Sequence, residues 1–287
     1  MALRLNVLIN SRYILMKHLA SGGMADIYEA SDTVLTKPVA IKFLKENHLN
    51  NEKDLEMFKN EARFTSMFVH PHILKVYNVG EYESQPFVSY ELLKGKTLKE
   101  VLDNRSKVSF DEALDYMLQL LDAVYYIHRA EVIHNDLKPE NIFLKNDGNI
   151  VLCDFGIASH TFDYRQNEEV LGSLPYLALE ILQNKKYSTQ SDIYSLGIIL
   201  YELLAGQPPF YFHNSKEYVE AQLKGKIASL SNFNCANYKD LDYVINKAID
   251  KNLSSRYKSA EEFRNDLLKI KNHERVYKES LFSRIFG

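Results

Sequence analysis

Residues Val132–Phe143 read VIHNDLKPENIF. Apolar ends enclose two acids, a lysine, a histidine and two asparagines, a mixture that neither a buried strand nor a buried helix would carry. Asp136 and Asn141 stand five residues apart with Lys138 between them, and Asp154 follows in a DFG triplet after a short interval. Two carboxylates and a carboxamide are hard oxygen ligands of the kind Mg²⁺ takes beside substrate phosphates. A lysine supplies a compact positive charge for a phosphoryl group. Taken singly, each residue reads equally well as a turn residue, a cap or a solvated side chain. The phosphate reading rests on their being found together.

The flanking sequence surrounds this stretch with helices. Upstream, SFDEALDYMLQLLDAVYYIH opens with Ser109 and, three residues on, Glu112, the spacing of a capping box. Leu114, Met117, Leu121, Val124 and Ile127 then recur at threes and fours and predict one buried helix face. Downstream, IFL and IVLC flank KNDGN, where Asp147-Gly148 predicts a hairpin turn. Farther on, IYSLGIILYELLAG predicts a buried helix ended by Gly206 and the Pro208-Pro209 pair.

The first ninety residues have a different texture. ILMKHLA, IYEASD, VAIKFL and PFVSYEL have the β-branched and aromatic content of short strands. Between them, EKDLEMFKNEARFTSMF brings Leu55, Phe58, Ala62 and Thr65 near one helix face. Gly22-Gly23, in LASGGMADIY, lies between two strand-like runs, where glycine lets a backbone approach phosphates closely. A plain hairpin turn explains that pair equally well. Lys42, facing inward from an apolar strand, demands an anionic partner, and Glu61 on the following helix can supply it. A strand-rich front and a helix-rich back predict a two-lobed α+β protein jointed near Glu91–Gly95, with a crevice between the lobes for a ligand.

The bulk properties narrow the function classes. The chain has 287 residues, 46% hydrophobic and 25% charged, with a net charge of -3. That balance describes a globular protein and argues against nucleic acid as a partner. Two cysteines, Cys153 and Cys235, offer neither a disulfide framework nor metal-ligand spacing and suit a cytoplasmic location. The start, MALRLNVLIN, is broken by Arg4 and Asn6 and reads as neither signal peptide nor anchor, and no apolar run is long enough to predict a transmembrane segment.

Together these motifs resemble the catalytic domain of eukaryotic-type Ser/Thr protein kinases, particularly the bacterial group whose phosphate loop reads GGM. The resemblance runs from about Tyr13 to Ile270. It implies a bilobal kinase fold: an extension over 1–12, an N-lobe over about 13–90, a hinge at 91–95, a C-lobe over 96–270 and a tail over 271–287 with a helical pattern. It implies ATP and Mg²⁺ as cofactors and a protein Ser or Thr hydroxyl as acceptor. By the same resemblance Ala20, Ser21, Gly22 and Gly23 belong to the lid over the ATP phosphates. Lys42 holds the α- and β-phosphates and pairs with Glu61. Glu91 and Leu93 belong to the adenine-binding hinge, and Tyr90 occupies the gatekeeper position. Ile27, Ala40 and Phe143 sandwich the adenine ring. Asp136 is the catalytic base, Lys138 reaches the transferred phosphate, and Asn141 and Asp154 hold Mg²⁺. Asp192 anchors the catalytic loop, and Glu180 pairs with Arg256. For Tyr90 and Phe143, core packing explains the residue type equally well.

Three positions depart from the family pattern. Ala20 and Ala25 replace the first and third loop glycines, which implies a stiffer lid. Leu179 stands where the family has proline. Asn135 stands where regulated relatives carry an arginine that pairs with a phosphate on the activation segment. That segment still holds Ser159, Thr161, Tyr164 and Ser173, and the expectation is that catalysis does not depend on modifying it. Two other readings stay open at this point: a pseudokinase or scaffold, and a small-molecule kinase. The tail residues Val276, Leu281, Phe282, Ile285 and Phe286 fit an amphipathic helix that packs on its own domain or docks a partner.

Overall fold

The computed structural model describes residues 3–163, 170–210 and 212–277. Two compact units divide the chain. The first comprises Met1–Gly95 together with Lys145–Ala158, and the second comprises Lys96–Leu144 and Ser159–Gly287.

In the first unit, strands β1 (Leu8–Ile9), β2 (Tyr13–Ser21), β3 (Ala25–Asp32), β4 (Lys37–Leu44), β5 (Val76–Tyr82) and β6 (Gln85–Glu91) form one sheet in the order β1-β2-β3-β4-β6-β5. Every pairing along that order is antiparallel. Alternation along the strands separates two faces. Tyr13, Leu15, Tyr28, Ala30, Val39, Ile41, Phe43 and Phe87 pack into one cluster. Ala25, Val88 and Tyr90 pack with Phe58 and Ala62 of helix α1 (Glu52–Ser66) into another. Helix α1 starts at Asn51, whose side chain accepts from the amides of Lys53 and Asp54.

The expected extension over 1–12 is built into this unit. Ile9 is fully buried, Leu3 and Val7 pack on the same cluster, and Arg12 grips the buried Asp32 through two nitrogens. Lys145–Ala158, expected in the C-lobe, also belongs here. Its Asp147-Gly148 turn closes through Gly148 N to Lys145 O and Lys145 N to Asn149 O, with Gly148 at φ 84°. The chain then returns to the body of the unit, where Leu74 N donates to Leu152 O at 3.0 Å and Leu152 N to His72 O at 2.9 Å.

In the second unit α2 (Leu98–Arg105), α3 (Phe110–Arg129), α4 (Leu179–Asn184), α5 (Thr189–Ala205), α6 (Ser215–Lys224), α7 (Tyr238–Ala248) and α8 (Ala260–Lys271) surround a core rich in α3 and α5 side chains. The Ser109–Glu112 capping box forms, and Leu114, Met117, Leu121, Val124 and Ile127 are all fully buried. Gly206 caps α5 in the left-handed region at φ 83°. No helix of the described residues is long and apolar enough to cross a membrane. Tyr164 and the tail residues Leu281, Phe282, Ile285 and Phe286 lie outside the described residues. Val276 N and Tyr277 N are both held by Asp240 Oδ1.

Candidate functional site

The residues singled out from the sequence fall into two groups, one in each unit. In the first unit, register puts Ile27 opposite Lys42, Lys42 opposite Val88 and Ala40 opposite Tyr90. Ile27, Ala40, Lys42, Val88 and Tyr90 therefore share the sheet face that meets α1. Lys42 Nζ lies 2.5 Å from Glu61 Oε2, with Glu61 almost wholly buried. Burial works against the Lys42 charge, but Glu61 and Asp154 outweigh it and hold the ammonium above its ordinary range. Asp154 has φ 62° and accepts from Gly156 N at 3.2 Å. Phe155 next to it is fully buried, its ring 5.8 Å from that of Phe68. Burial pushes the Cys153 thiol far above its usual range, so it is an inert apolar group.

Ala20 and Ser21, both exposed, end β2, and Gly22 and Gly23 open the turn to β3. Gly22 N donates to Ala25 O at 2.9 Å, and Lys45 Nζ donates to Gly22 O at 2.5 Å. Neither glycine has a left-handed φ, and a Cβ at Gly23 would meet nothing within 4 Å. The fold itself therefore does not require glycine at these positions. What two missing side chains leave is clearance above the turn. Glu91 ends β6, its N–H donating to Lys75 O at 2.9 Å, and Leu93 lies half-buried two residues on.

In the second unit the polar stretch begins at strand Val132–Ile133, which pairs antiparallel with Ser159–His160. Asp192 of α5 fixes the turn that follows. Its carboxylate accepts from His134 N at 2.9 Å and Asn135 N at 3.0 Å, and His128 Nε2 lies 2.8 Å away. Asn135 sits at φ 70°, a conformation asparagine tolerates better than most residues, and its Nδ2 donates to Ser159 Oγ at 3.0 Å.

Asp136 is gripped from three sides. Asn141 Nδ2 donates to Asp136 O at 2.9 Å and to Oδ2 at 3.0 Å, and Lys138 Nζ lies 2.7 Å from Oδ2. Ser173 Oγ donates to Asp136 Oδ1 at 3.0 Å and itself accepts from Lys138 Nζ at 2.9 Å. Gly172 makes that approach feasible. Its φ is 110°, and a Cβ there would sit 2.8 Å from Leu177 Cδ2 and 3.0 Å from Asn135 O. Phe143, by contrast, is half-buried near the end of the stretch and shares none of these bonds. Glu180 and Arg256 form a bidentate pair at 2.7 and 3.2 Å, and Arg256 also donates to Asp250 O and Gln190 O.

Sequence reasoning missed Lys45, His128 and the hydroxyl of Tyr90, which donates to Glu61 Oε1 at 2.8 Å. All three are joined to their partners only by the tertiary fold. Lys45 follows the last residue of β4 in a position that reads as solvent-facing, and His128 falls in the last turn of a helix where a dipole explanation suffices.

A family description, the protein kinase domain, matches residues 13–286. The chain is 34% identical over 273 residues to the probable serine/threonine-protein kinase PknB of Lactococcus lactis, covering 94% of this chain. It is 33% identical over 261 residues to the serine/threonine-protein kinase PrkC of Bacillus subtilis, covering 90%. It is also 30% identical over 270 residues to the serine/threonine-protein kinase PknB of Mycolicibacterium smegmatis, covering 91%. The chain spans 44%, 40% and 43% of the lengths of these relatives. With the family's pattern matched across almost all of its length, the chain belongs to the protein kinase domain family.

Proposed function

We propose that this domain transfers the γ-phosphate of ATP to a Ser or Thr hydroxyl of a protein, in the cytoplasm, and that it does so without modification of its activation segment. One observation carries the reading: Asp136 is held on both carboxylate oxygens by Lys138, Asn141 and Ser173, in a turn fixed by Asp192. A carboxylate locked in that way can orient a hydroxyl without being a strong base, because the proton leaves late in a loose transition state.

In the proposed reaction the acceptor oxygen forms a bond to the γ-phosphorus while the bond to the β–γ bridging oxygen breaks. ADP leaves with the bonding pair, and the hydroxyl proton passes to Asp136. Lys138 stabilises charge on the transferred group, and Lys42, kept protonated by Glu61 and Asp154, holds the α- and β-phosphates. The clearance over Gly22 and Gly23 fits close approach of backbone amides to phosphate. Asn141 and Asp154 each bring a hard oxygen, the donor type Mg²⁺ prefers. When bound there, Mg²⁺ would neutralise charge on the phosphate oxygens. Glu91 and Leu93 would meet the adenine edge, and Ile27, Ala40 and Phe143 its faces.

Independence from the activation segment is argued from Asn135. It offers no cation to a phosphate, and its amide is already engaged with Ser159. Labelled-phosphate transfer to a generic basic protein, with Asp136→Ala as control, tests the activity. Ser159→Ala, Thr161→Ala and phosphatase-treated enzyme should each keep turnover within about tenfold of the untreated protein. A hundredfold loss in any of them would refute the independence.

A further inference from the structure

We infer that Tyr90 is a positioning residue whose hydroxyl locks Glu61, and through it Lys42, in the engaged arrangement. The inference rests on the kinase reading above for what Lys42 does, but its geometry lies wholly within the first unit.

Glu61 leaves α1 almost completely buried, and each of its carboxylate oxygens has its own donor. Lys42 Nζ of β4 is on Oε2 at 2.5 Å, and Tyr90 Oη of β6 donates to Oε1 at 2.8 Å. The last torsion of a glutamate is broad, so a single donor would leave the carboxylate free to swing. Two donors from different strands, one on each oxygen, fix that torsion and tie α1 to β4 and β6 at one point.

Packing does not select tyrosine here. Tyr90 sits among Val88, Phe58, Ala62 and Leu44, where phenylalanine or methionine would fill the same space. A buried hydroxyl is tolerated only with a partner, and the partner is the carboxylate that holds Lys42. The groups that face Glu61 are Lys42, Tyr90 and, electrostatically, Asp154. Burial and Asp154 hold the Glu61 carboxyl above its ordinary range while Lys42 and Tyr90 pull against them, so Tyr90 favours the anion that Lys42 needs. Neither hydrogen bond involves the segment that holds Ser159, Thr161 and Ser173. Engagement of the lysine is therefore built into the first unit and is not conferred by a signal on the second.

The test uses the full chain with Tyr90→Phe, Glu61→Ala and the double variant. Hydrogen exchange, which needs no turnover, should show the amides of α1 exchanging about tenfold faster in Tyr90→Phe, as expected for loss of one hydrogen bond to a charged acceptor. Turnover should fall about fivefold to tenfold in Tyr90→Phe while KM for ATP moves less than twofold, because the ring that packs is retained. In the Glu61→Ala background the same substitution should change turnover less than twofold, since the carboxylate it acts through is gone. Unchanged exchange in α1, or effects that multiply in the double variant, would overturn the inference and leave Tyr90 a packing residue. A wild-type protein that transfers no phosphate would refute the kinase reading, and the exchange measurement alone would then decide the role of Tyr90.

Discussion

Asn135 shows how an uncharged residue at a left-handed position can sit in a polar turn without loosening it. Its backbone amide is held by Asp192, its φ is 70°, and its side chain bridges to Ser159. The functional groups on either side depend on the backbone, and the backbone is held by α5. Gly172 is the complementary case, a residue that the geometry does require. With φ at 110° and contacts of 2.8 and 3.0 Å awaiting any Cβ, alanine must move either Leu177 or the carbonyl of Asn135. Ser173 next to it would lose its place between Asp136 and Lys138. If Asp136 orients the acceptor hydroxyl as proposed, Gly172→Ala should lower turnover on the order of a hundredfold, since displacement of about an ångström at a reacting centre costs that much. A steady-state assay beside a melting curve would separate that loss from unfolding.

At the scale of elements, much of the fold was legible where pattern and caps agreed. Helix α3 announced itself by Ser109, Glu112 and an unbroken buried face, and α5 by an apolar run ended at Gly206. Strands β2, β3, β4 and β6 followed from β-branched and aromatic runs. Strand β5 did not, because VYNVGEY neither alternates cleanly nor buries a continuous side; its pairing with β6 makes it a strand. The site divides in the same way. Residue types named Asp136, Lys138, Asn141, Lys42 and Glu61, but the hydroxyl bond of Tyr90 and the reach of Lys45 exist only after β3, β4, β6 and α1 have come together. Between α4 and the segment before α8, the buried Arg256 has Glu180 and two carbonyls as partners. Glu180→Ala would leave its guanidinium uncompensated, a loss of about 3–5 kcal/mol that urea unfolding would read.

For the whole molecule, stability against acid follows from carboxylates held low. Burial alone would raise Asp32, but Arg12 and the amides of Val34 and Leu35 outweigh it and keep its carboxyl below the ordinary range. Asp26 and Asp266 are likewise held low against burial, by Ser21 and His18 in one case and by Lys269 and Tyr257 in the other. Each folded-state value lies under the unfolded one, so the contribution is complete above about pH 4 and drains away as pH falls through the folded values. Arg12→Met should reduce stability at pH 7 and make the acid limb of the stability profile shallower, because less is left to lose. Denaturant melts at a series of pH values would show it.

The return of Lys145–Ala158 to the first unit has a consequence for the order in which the protein can be made. Leu74 N waits for Leu152 O, and the carbonyl of His72 for Leu152 N. The first unit is therefore discontinuous in sequence, and a nascent chain that has emerged only to residue 95 lacks a strand's worth of its own interior. On a ribosome adding about 5–20 residues per second, that unit stays unfinished for several seconds while Lys96–Leu144 is synthesised. A fragment ending at Gly95 should accordingly be digested by protease far faster than the full chain, and a separate peptide spanning Lys145–Ala158 should slow that digestion.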